Sequence, residues 1–595
     1  MKKNILKTGF ILFAATFFFS CNDDFLERYP LDEVSNNTFW GSESDLKVYN
    51  NSLYNLAKDG NSISFWLVFN NNGYQRSAWW HDNYSDNQAT LYASMGPNIL
   101  LKRAGKHPVP SSIEWFGYGG WNFVRACNVG LANYEKANAN QKIINKYIAE
   151  ARLFRGWFYF DKVKRYGNVP WLDHELNIDS EELYAARTPR EEVMENVLAD
   201  LDFACEYLPD NWGDGNAPGR LNRWAALLVK SRCCLFEGTW RKYHGGTNPD
   251  QWLQAAADAA QELIEKGPYS LYSTGDPLHD YKKFHAVKDL SGNSEILYWI
   301  KYASGIHINN QMIMTTREAG GATKDLVEDF LCSDGLPITL SPLYKGDAVY
   351  EDIFENRDPR LRQTVLHPAD QEYYFYGKSY DYEYPRLPGM VGVYMTNPTG
   401  YHIIKYYNAD LYEDAWNVGV TPCIILRFGE ALLNFAEAKA ELGTITQADL
   451  NKSINKLRDR VGMIHMDLNN IPVDPRYSSD GVSPLIVEIR RERRIELCFE
   501  GFRYDDLRRW KQGKKLETRS FGMRWDDAAK AKYDPNGKVT MKTSANPLTG
   551  VPYIDIYKGT TWDNPVFDES KHYLWPIQLS AISQNKNITQ NPGWD

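Results

Sequence analysis

The apolar positions of the chain change period several times, and each change predicts an element. Residues 9–19 are an unbroken apolar run behind Lys2, Lys3 and Lys7. The run is too short to cross a bilayer as a helix, which takes about 20 apolar residues. It has the length and the charged flank of a signal-peptide core, so residues 1–20 read as a signal and 21–595 as the mature chain. From residue 35 the spacing turns helical. Leu46, Tyr49, Leu53, Tyr54 and Leu56 fall on one face and Thr38 can cap, which predicts a helix over 35–57. A second helix is predicted over 114–138. The clearest amphipathic stretch is 141–166, with Ile144, Tyr147, Ile148, Ala151, Phe154 and Phe158 on one face and Gly167 and Pro170 behind it. Thr188, Pro189, Arg190 and Glu191 have the form of a capping box with proline in the first turn, opening a helix that runs to about Tyr207. Residues 221–240 and 249–266 predict a further pair.

Between these elements the period dissolves. Residues 60–110 are rich in Asn, Gly, Ser and Trp, and 269–420 are irregular apart from strand-like runs such as 295–302. Helices return over 424–442, where Phe428, Leu432, Phe435, Ala436 and Leu442 share a face, then over 446–461 and 484–501, the last with Ser483 as cap and Pro484 in its first turn. Helix pairs at this spacing predict a mainly α fold built on tetratricopeptide-like units of about 34 residues. The helical-repeat part is placed at about 35–270 and the loop-rich C-terminal part at about 271–595. Loops this long are functional when ordered, and the insertions are expected to form a ligand face.

Composition narrows the partners. The formal charge is −9, and removing the signal takes away three lysines and no acid. A chain this acidic is a poor match for nucleic acid or anionic lipid. Of the eight cysteines, Cys21 stands at the signal boundary. The other seven are odd in number and show neither a CxxC nor a Cys/His spacing for zinc, so no metal, no cofactor and no essential disulfide framework are expected. The chain carries 19 Trp and 38 Tyr against 26 Phe. Trp and Tyr have a polar handle that suits half-wet surfaces, which tilts the reading toward an aromatic binding face.

Such a face can hold a ligand with rings stacking on its apolar patches while amides, carboxylates and ammonium groups meet its polar groups. Residues 64–87 are the best local match and supply Trp66, Asn72, Trp79, Trp80, Asp82 and Asn83 as candidates. For each of these tryptophans the alternative is a plug that fixes the loop to the scaffold. Trp299 and Lys301 form a second candidate set, on one side of a strand-like run. Tyr374 and Tyr376, in the tyrosine-rich stretch 372–384, form a third. His81, His307 and His402 have no partner at metal-ligand spacing and are read as hydrogen-bonding residues.

Residues 488–510 are dense in both charge signs. Glu496 with Glu500, and Asp505 with Asp506, have the look of acid pairs, and paired carboxylates across a cleft serve glycosidases. Arginines at nearly every other polar position keep such carboxylates ionised, so a structural ion-pair network is the better reading. The run RRERRIELCFEGFRYDDLRRW (490–510) resembles the C-terminal signature of the SusD/RagB family of outer-membrane lipoproteins. ILRFGEALLNFAEAKAEL (425–442), GYHIIKY (400–406) and HYLWPIQLSAISQNKNITQNPGW (572–594) resemble further family segments, as do Thr38, Phe39 and Trp40 with Asp45 and Leu46. Ser20 and Cys21 resemble a lipobox, and the resemblance covers the mature chain in order. It implies a helix-pair scaffold, lipidation at Cys21 and a lipid-anchored, surface-exposed place on the outer membrane. It also implies a SusC-like TonB-dependent transporter as partner, glycan capture (peptide capture in some members) and no catalysis. The alternatives are a secreted glycoside hydrolase and a structural or peptide-binding surface lipoprotein.

Overall fold

The computed structural model describes residues 39–594 except 59–77, 92–96, 113–116, 216, 318–319, 371–373, 376–379, 382–383, 391–395, 412 and 414. Helix α1 spans Glu43–Lys58, opened by Ser42, whose amide and hydroxyl both donate to Asp45 Oδ2. The first residues of the expected helix over 35–57 lie outside the described set. Helix α2 spans Trp121–Asn133, starting later than expected. Helix α3 spans Gln141–Tyr166, with Asn140 Oδ1 accepting from Ile143 N and Gly167 at φ 69° closing it. Its first half has one apolar face, but every residue from Leu153 to Val163 is buried. Burial all round this half needs partners for its charges: Arg155 donates twice to Asp200 at 2.8 Å, and Lys162 donates to Gly117 O at 2.7 Å.

Helix α4 spans Arg190–Tyr207, and here the expected capping box does not form. Thr188 instead bridges to Val169 and accepts from Trp171 N, while Glu191 accepts from Thr247. Pairing with the chain leaving α3 outcompetes the local cap. Helices α5 (Arg223–His244, capped by Asn222) and α6 (Pro249–Lys266) fold back on each other across a four-residue loop. Gly238 permits their close approach: a Cβ there would sit 2.8 Å from Leu253 Cγ and 2.9 Å from its backbone nitrogen. The pairs α3/α4 and α5/α6 make the repeat-like scaffold. Helix α7 (Phe428–Glu441) lies on α6, and α8 (Pro484–Glu496) lies on α7. A short helix, α9 (Arg503–Arg509), packs against α5. The expected helix over 446–461 is broken at Ser453 into Gln447–Lys452 and Ile454–Arg460.

The strands are short and join distant parts of the chain. β1 (Gln88–Ala89) pairs with β3 (Gly321–Ala322), and β2 (Ile296–Ile300) pairs with β6 (Cys423–Arg427). β4 (Tyr374–Phe375) pairs with β5 (Tyr380–Asp381). β7 (Phe521–Arg524), β9 (Pro552–Asp555) and β8 (Thr543–Ala545) form a three-stranded sheet in that order. Residues 423–427, expected in part as the start of a helix, are strand because Ile424 and Ile425 are β-branched and β2 supplies a ladder. One large apolar core runs from Trp40 through the helix pairs to Ile588.

Candidate functional site

Helix α8 is buried from Ile486 to Glu496 although most of its residues are charged. Ser483 Oγ accepts from Ile486 N at its start. Each acid that invited a catalytic reading is tied to cations. Glu496 lies within 3.0 Å of Arg360, Arg427 and Arg460. Glu500 lies 2.8 Å from Arg427 and 2.6 Å from Lys405. Asp505 meets Lys164 at 2.6 Å, and Asp506 meets Arg493 at 2.9 Å and Arg509 at 2.8 Å. Burial pushes the carboxyls of Glu496, Glu500 and Asp505 upward, but their arginine and lysine neighbours outweigh it and hold them well below the usual carboxylate range. Glu437, held by Arg509 and Arg493, falls to about 2. Carboxylates this firmly ionised are unsuited to proton donation. Among the described residues no cluster of three or more His, Cys, Asp or Glu could hold a metal, and their seven cysteines are free thiols.

The polar segment 78–91, which includes the described end of the best sequence candidate, is clamped onto this network. Asp82 Oδ2 accepts from Phe499 N at 2.6 Å and from Asn87 Nδ2 at 3.1 Å, with Phe499 held at φ 62°. Asp86 takes both Arg503 Nε and Nη2 at 2.8 Å and lies 3.3 Å from Arg494. Asn87 Oδ1 accepts from Arg494 Nε at 2.8 Å. Trp80 is 1% exposed within the main core, and Asn83 donates to Trp80 O at 3.1 Å. Trp80, Asp82 and Asn83 are therefore corrected from ligand contacts to structural anchors: a carboxylate so desolvated needs backbone and amide donors, and here the fold itself supplies them. The desolvation still shows, since burial pushes the Asp82 carboxyl up to about 7. The signal that could have found this is the pairing of an acidic-amide run with an arginine-rich one far along the chain.

The second candidate set divides. Trp299 is 4% exposed and packs with Phe284, Leu290 and Ile296, while Tyr298 on the same strand packs toward Tyr54. β2 is buried along its length, and irregular register between Ile296 and Trp299 disturbs the simple alternation. Trp299 is corrected to a core residue for that reason. Lys301, just past the strand, is half-exposed with Asp289 at 3.5 Å. Trp66, Asn72, Tyr376 and Cys21 lie outside the described residues. Trp79 falls in the short helix Ala78–His81 and Tyr374 in β4, and the side chains of both are outside the described set.

The described anchors of these loops converge. Gly321 pairs with Ala89 through β1 and β3 and bridges to His402. His402 Nε2 lies 3.0 Å from Thr315 O, and burial lowers its pKa to about 3. Asn397 N donates to Arg386 O at 2.9 Å, and Tyr384 OH donates to Gly400 O at 2.9 Å. A Cβ on Gly321 would lie 1.9 Å from Thr399 Oγ1 and 2.2 Å from Asn397 Oδ1, so only glycine fits where the strands close on this turn. His307 stacks on Tyr302 at 4.6 Å, and Ile306 in the same turn is exposed. The segment on which Trp79 sits is thus joined through β1 and β3 to the turn at 397–402, which also holds Tyr384 just beyond β5; Lys301 sits apart, past β2 and beside Asp289. Sequence reasoning named His402 as a hydrogen-bonding residue but missed Gly321, Asn397 and Thr399 beside it; the glycine pair at 320–321 inside an irregular stretch was the available signal.

This architecture has relatives. The model of the SusD family matches residues 298–594, and a family model described as starch-binding, associating with the outer membrane, matches 24–235. A SusD-like protein of Formosa agariphila is 24% identical over 474 residues, covering 79% of this chain and 78% of its own. Among solved structures, a SusD-like protein of Bacteroides fragilis superposes with a TM-score of 0.69 at 24% identity, covering 95% of this chain and all of its own. A SusD-like carbohydrate-binding protein of Bacteroides fragilis superposes with a TM-score of 0.70 at 21% identity over 93% of this chain and all of its own. The two family models account for both the helix-pair half and the signature-bearing half, in the order in which the chain presents them: the chain belongs to the SusD family.

Proposed function

We propose that this protein is a surface glycan-binding lipoprotein that captures oligo- or polysaccharide without turning it over. It is held to the outer membrane through Cys21 and delivers its ligand to a partner SusC-like TonB-dependent transporter. The observation that supports this reading is the joining of the polar segment 78–91 to the turn at 397–402 through β1 and β3, with Glu496 and Glu500 kept ionised by Arg427 and its neighbours. Such a site offers stacking and hydrogen bonding, and Asp82, whose carboxyl burial raises to about 7, is fully buried against Phe499 N and Asn87 Nδ2 instead of facing a substrate. The similarity to a SusD-like protein described as carbohydrate-binding supports it. Ligand contacts are assigned to Trp66, Asn72, Trp79, Lys301, Tyr374 and Tyr376.

Affinity electrophoresis against a polysaccharide panel tests this. At least one glycan is expected to retard the protein, with a Kd in the micromolar to millimolar range. The W66A/W79A double variant should lose that retardation while keeping the parent's circular dichroism. Full-strength binding by the double variant removes these residues from the site. New reducing ends released by pure protein make it a hydrolase instead. A panel without any retarded glycan, beside a positive peptide screen, makes it a peptide-capturing member.

A further inference from the structure

The chain between α3 and α4 leaves the scaffold as a ridge over residues 173–184, and an apolar groove opens between this ridge and α2. The groove encloses about 500 Å³. Trp121 and Val124 of α2 line one wall, and Leu172, Leu176, Ile178 and Leu183 line the other. The ridge does not close over it: Ile178 is 91% exposed, Leu183 45% and the adjoining Tyr184 59%. A monomer rarely leaves apolar side chains side by side in water next to an open groove unless something covers them.

The ridge is nevertheless fixed. Asn128 Nδ2 of α2 donates to the carbonyls of Leu172 and His174 at 3.0 and 2.9 Å. Val169 and Thr188 pair across its base. At its far end Asn587 and Asn585 donate to the carbonyls of Tyr184 and Ala185 at 2.7 and 2.9 Å. Its shape is set before anything binds, which lowers the ordering cost of association.

Charge identifies the kind of occupant. Residues 173–184 hold Asp173, Glu175, Asp179, Glu181 and Glu182 and no lysine or arginine. The nearest cation across the groove, Arg125, is already paired with Glu175 at 3.0 Å, and His174 sits 2.8 Å from Asp173. An apolar groove under an acidic rim complements an apolar tip flanked by positive charge. The chain's own residues 22–38 do not match, since they carry five acids and one arginine. A second copy would bring the same acidic ridge.

We propose that this groove is a docking site for a partner protein that inserts apolar side chains between lysines or arginines. Its occupant is not the glycan.

The probe is a fluorescein-labelled peptide with a Leu-Trp-Leu core flanked by lysines, compared by anisotropy with the same core flanked by glutamates, on the purified chain. The lysine-flanked peptide should bind at micromolar concentration, weaken as salt rises, and bind roughly tenfold or more better than the glutamate-flanked one. The I178S/L183S variant changes exposed side chains, and its melting curve should match the parent's. It should lose roughly tenfold in affinity. Equal binding of the two peptides, no binding of either, or unchanged binding to the variant overturns the proposal. Concentration-dependent dimerisation abolished by I178S also overturns it, by assigning the groove to a second copy.

Discussion

Arg427 shows how much of this protein rests on single buried charges. It is 2% exposed and meets Glu295, Glu496 and Glu500 together, at 2.8–2.9 Å. Removing one member of such a group leaves desolvated charge behind, which costs about 3–5 kcal/mol. R427M, which keeps the apolar stem, should lower the denaturation midpoint accordingly in a urea series, and an unchanged midpoint would mean the three acids are already neutralised by Arg360, Arg460 and Lys405. Asp82 gives the opposite case. Its pKa is raised from 3.8 to about 7 by burial, so the folded state holds that proton more tightly than the unfolded chain does. The resulting stabilisation is fully present below about pH 4 and is lost as pH rises through about 7. At about 1.4 kcal/mol per pKa unit, the window is worth at most about 4 kcal/mol. D82N lacks the titration, so its stability relative to the parent should improve steadily from pH 4 to pH 7; a constant difference across that window would show that Asp82 does not titrate there. The roles of both residues were partly legible: the arginine-dense run announced ionised acids, but nothing local marked Asp82 as the acceptor for Phe499 N, a residue more than 400 positions away.

At the level of elements, helices with strong period came through with their bounds, as in Gln141–Tyr166, capped by Asn140, and Pro249–Lys266, opened by proline in its first turn. Two departures arose where a tertiary partner overrode the local pattern. Thr188 left its cap to pair with Val169, and 423–427 became a strand against β2. The α5/α6 pair depends on Gly238, where helix propensity alone would favour alanine by about 1 kcal/mol. The Cβ of G238A would press on Leu253 and its backbone nitrogen, which cannot move without shifting α6. The variant should therefore be destabilised by about 1–3 kcal/mol despite its better propensity, read as a lower melting temperature by calorimetry. A gain in stability would mean that the helix pair can separate at no cost.

For the whole molecule, the relevant question is what holds it in place. Among the described residues no helix is long and apolar enough to cross a membrane, so an attachment through Cys21 would rest on its acyl chains. C21A should appear in the medium or periplasm rather than in the membrane pellet, and should bind glycan as the parent does. Retention in the pellet would assign anchoring to another part of the chain. The charged signature 490–510 takes part at this scale too, because it ties the N-terminal segment 82–87 to the C-terminal half through Arg494 and Arg503. That link makes the helix pairs and the loop-rich region one packed body.

The sequence alone determined the mainly helical scaffold, the family and the structural nature of the acid pairs. Each of these is written in local period, in contiguous motifs or in the charge balance of neighbours. Only the tertiary structure decided which aromatic and polar side chains are buried. Trp80 and Trp299 carry the same ring whether they stack on a sugar or plug a core, and Asp82 has the same carboxylate whether it meets a hydroxyl or a backbone amide. What separates the two outcomes is the free energy of desolvation at each position, and that is set by segments hundreds of residues apart that only the fold brings together.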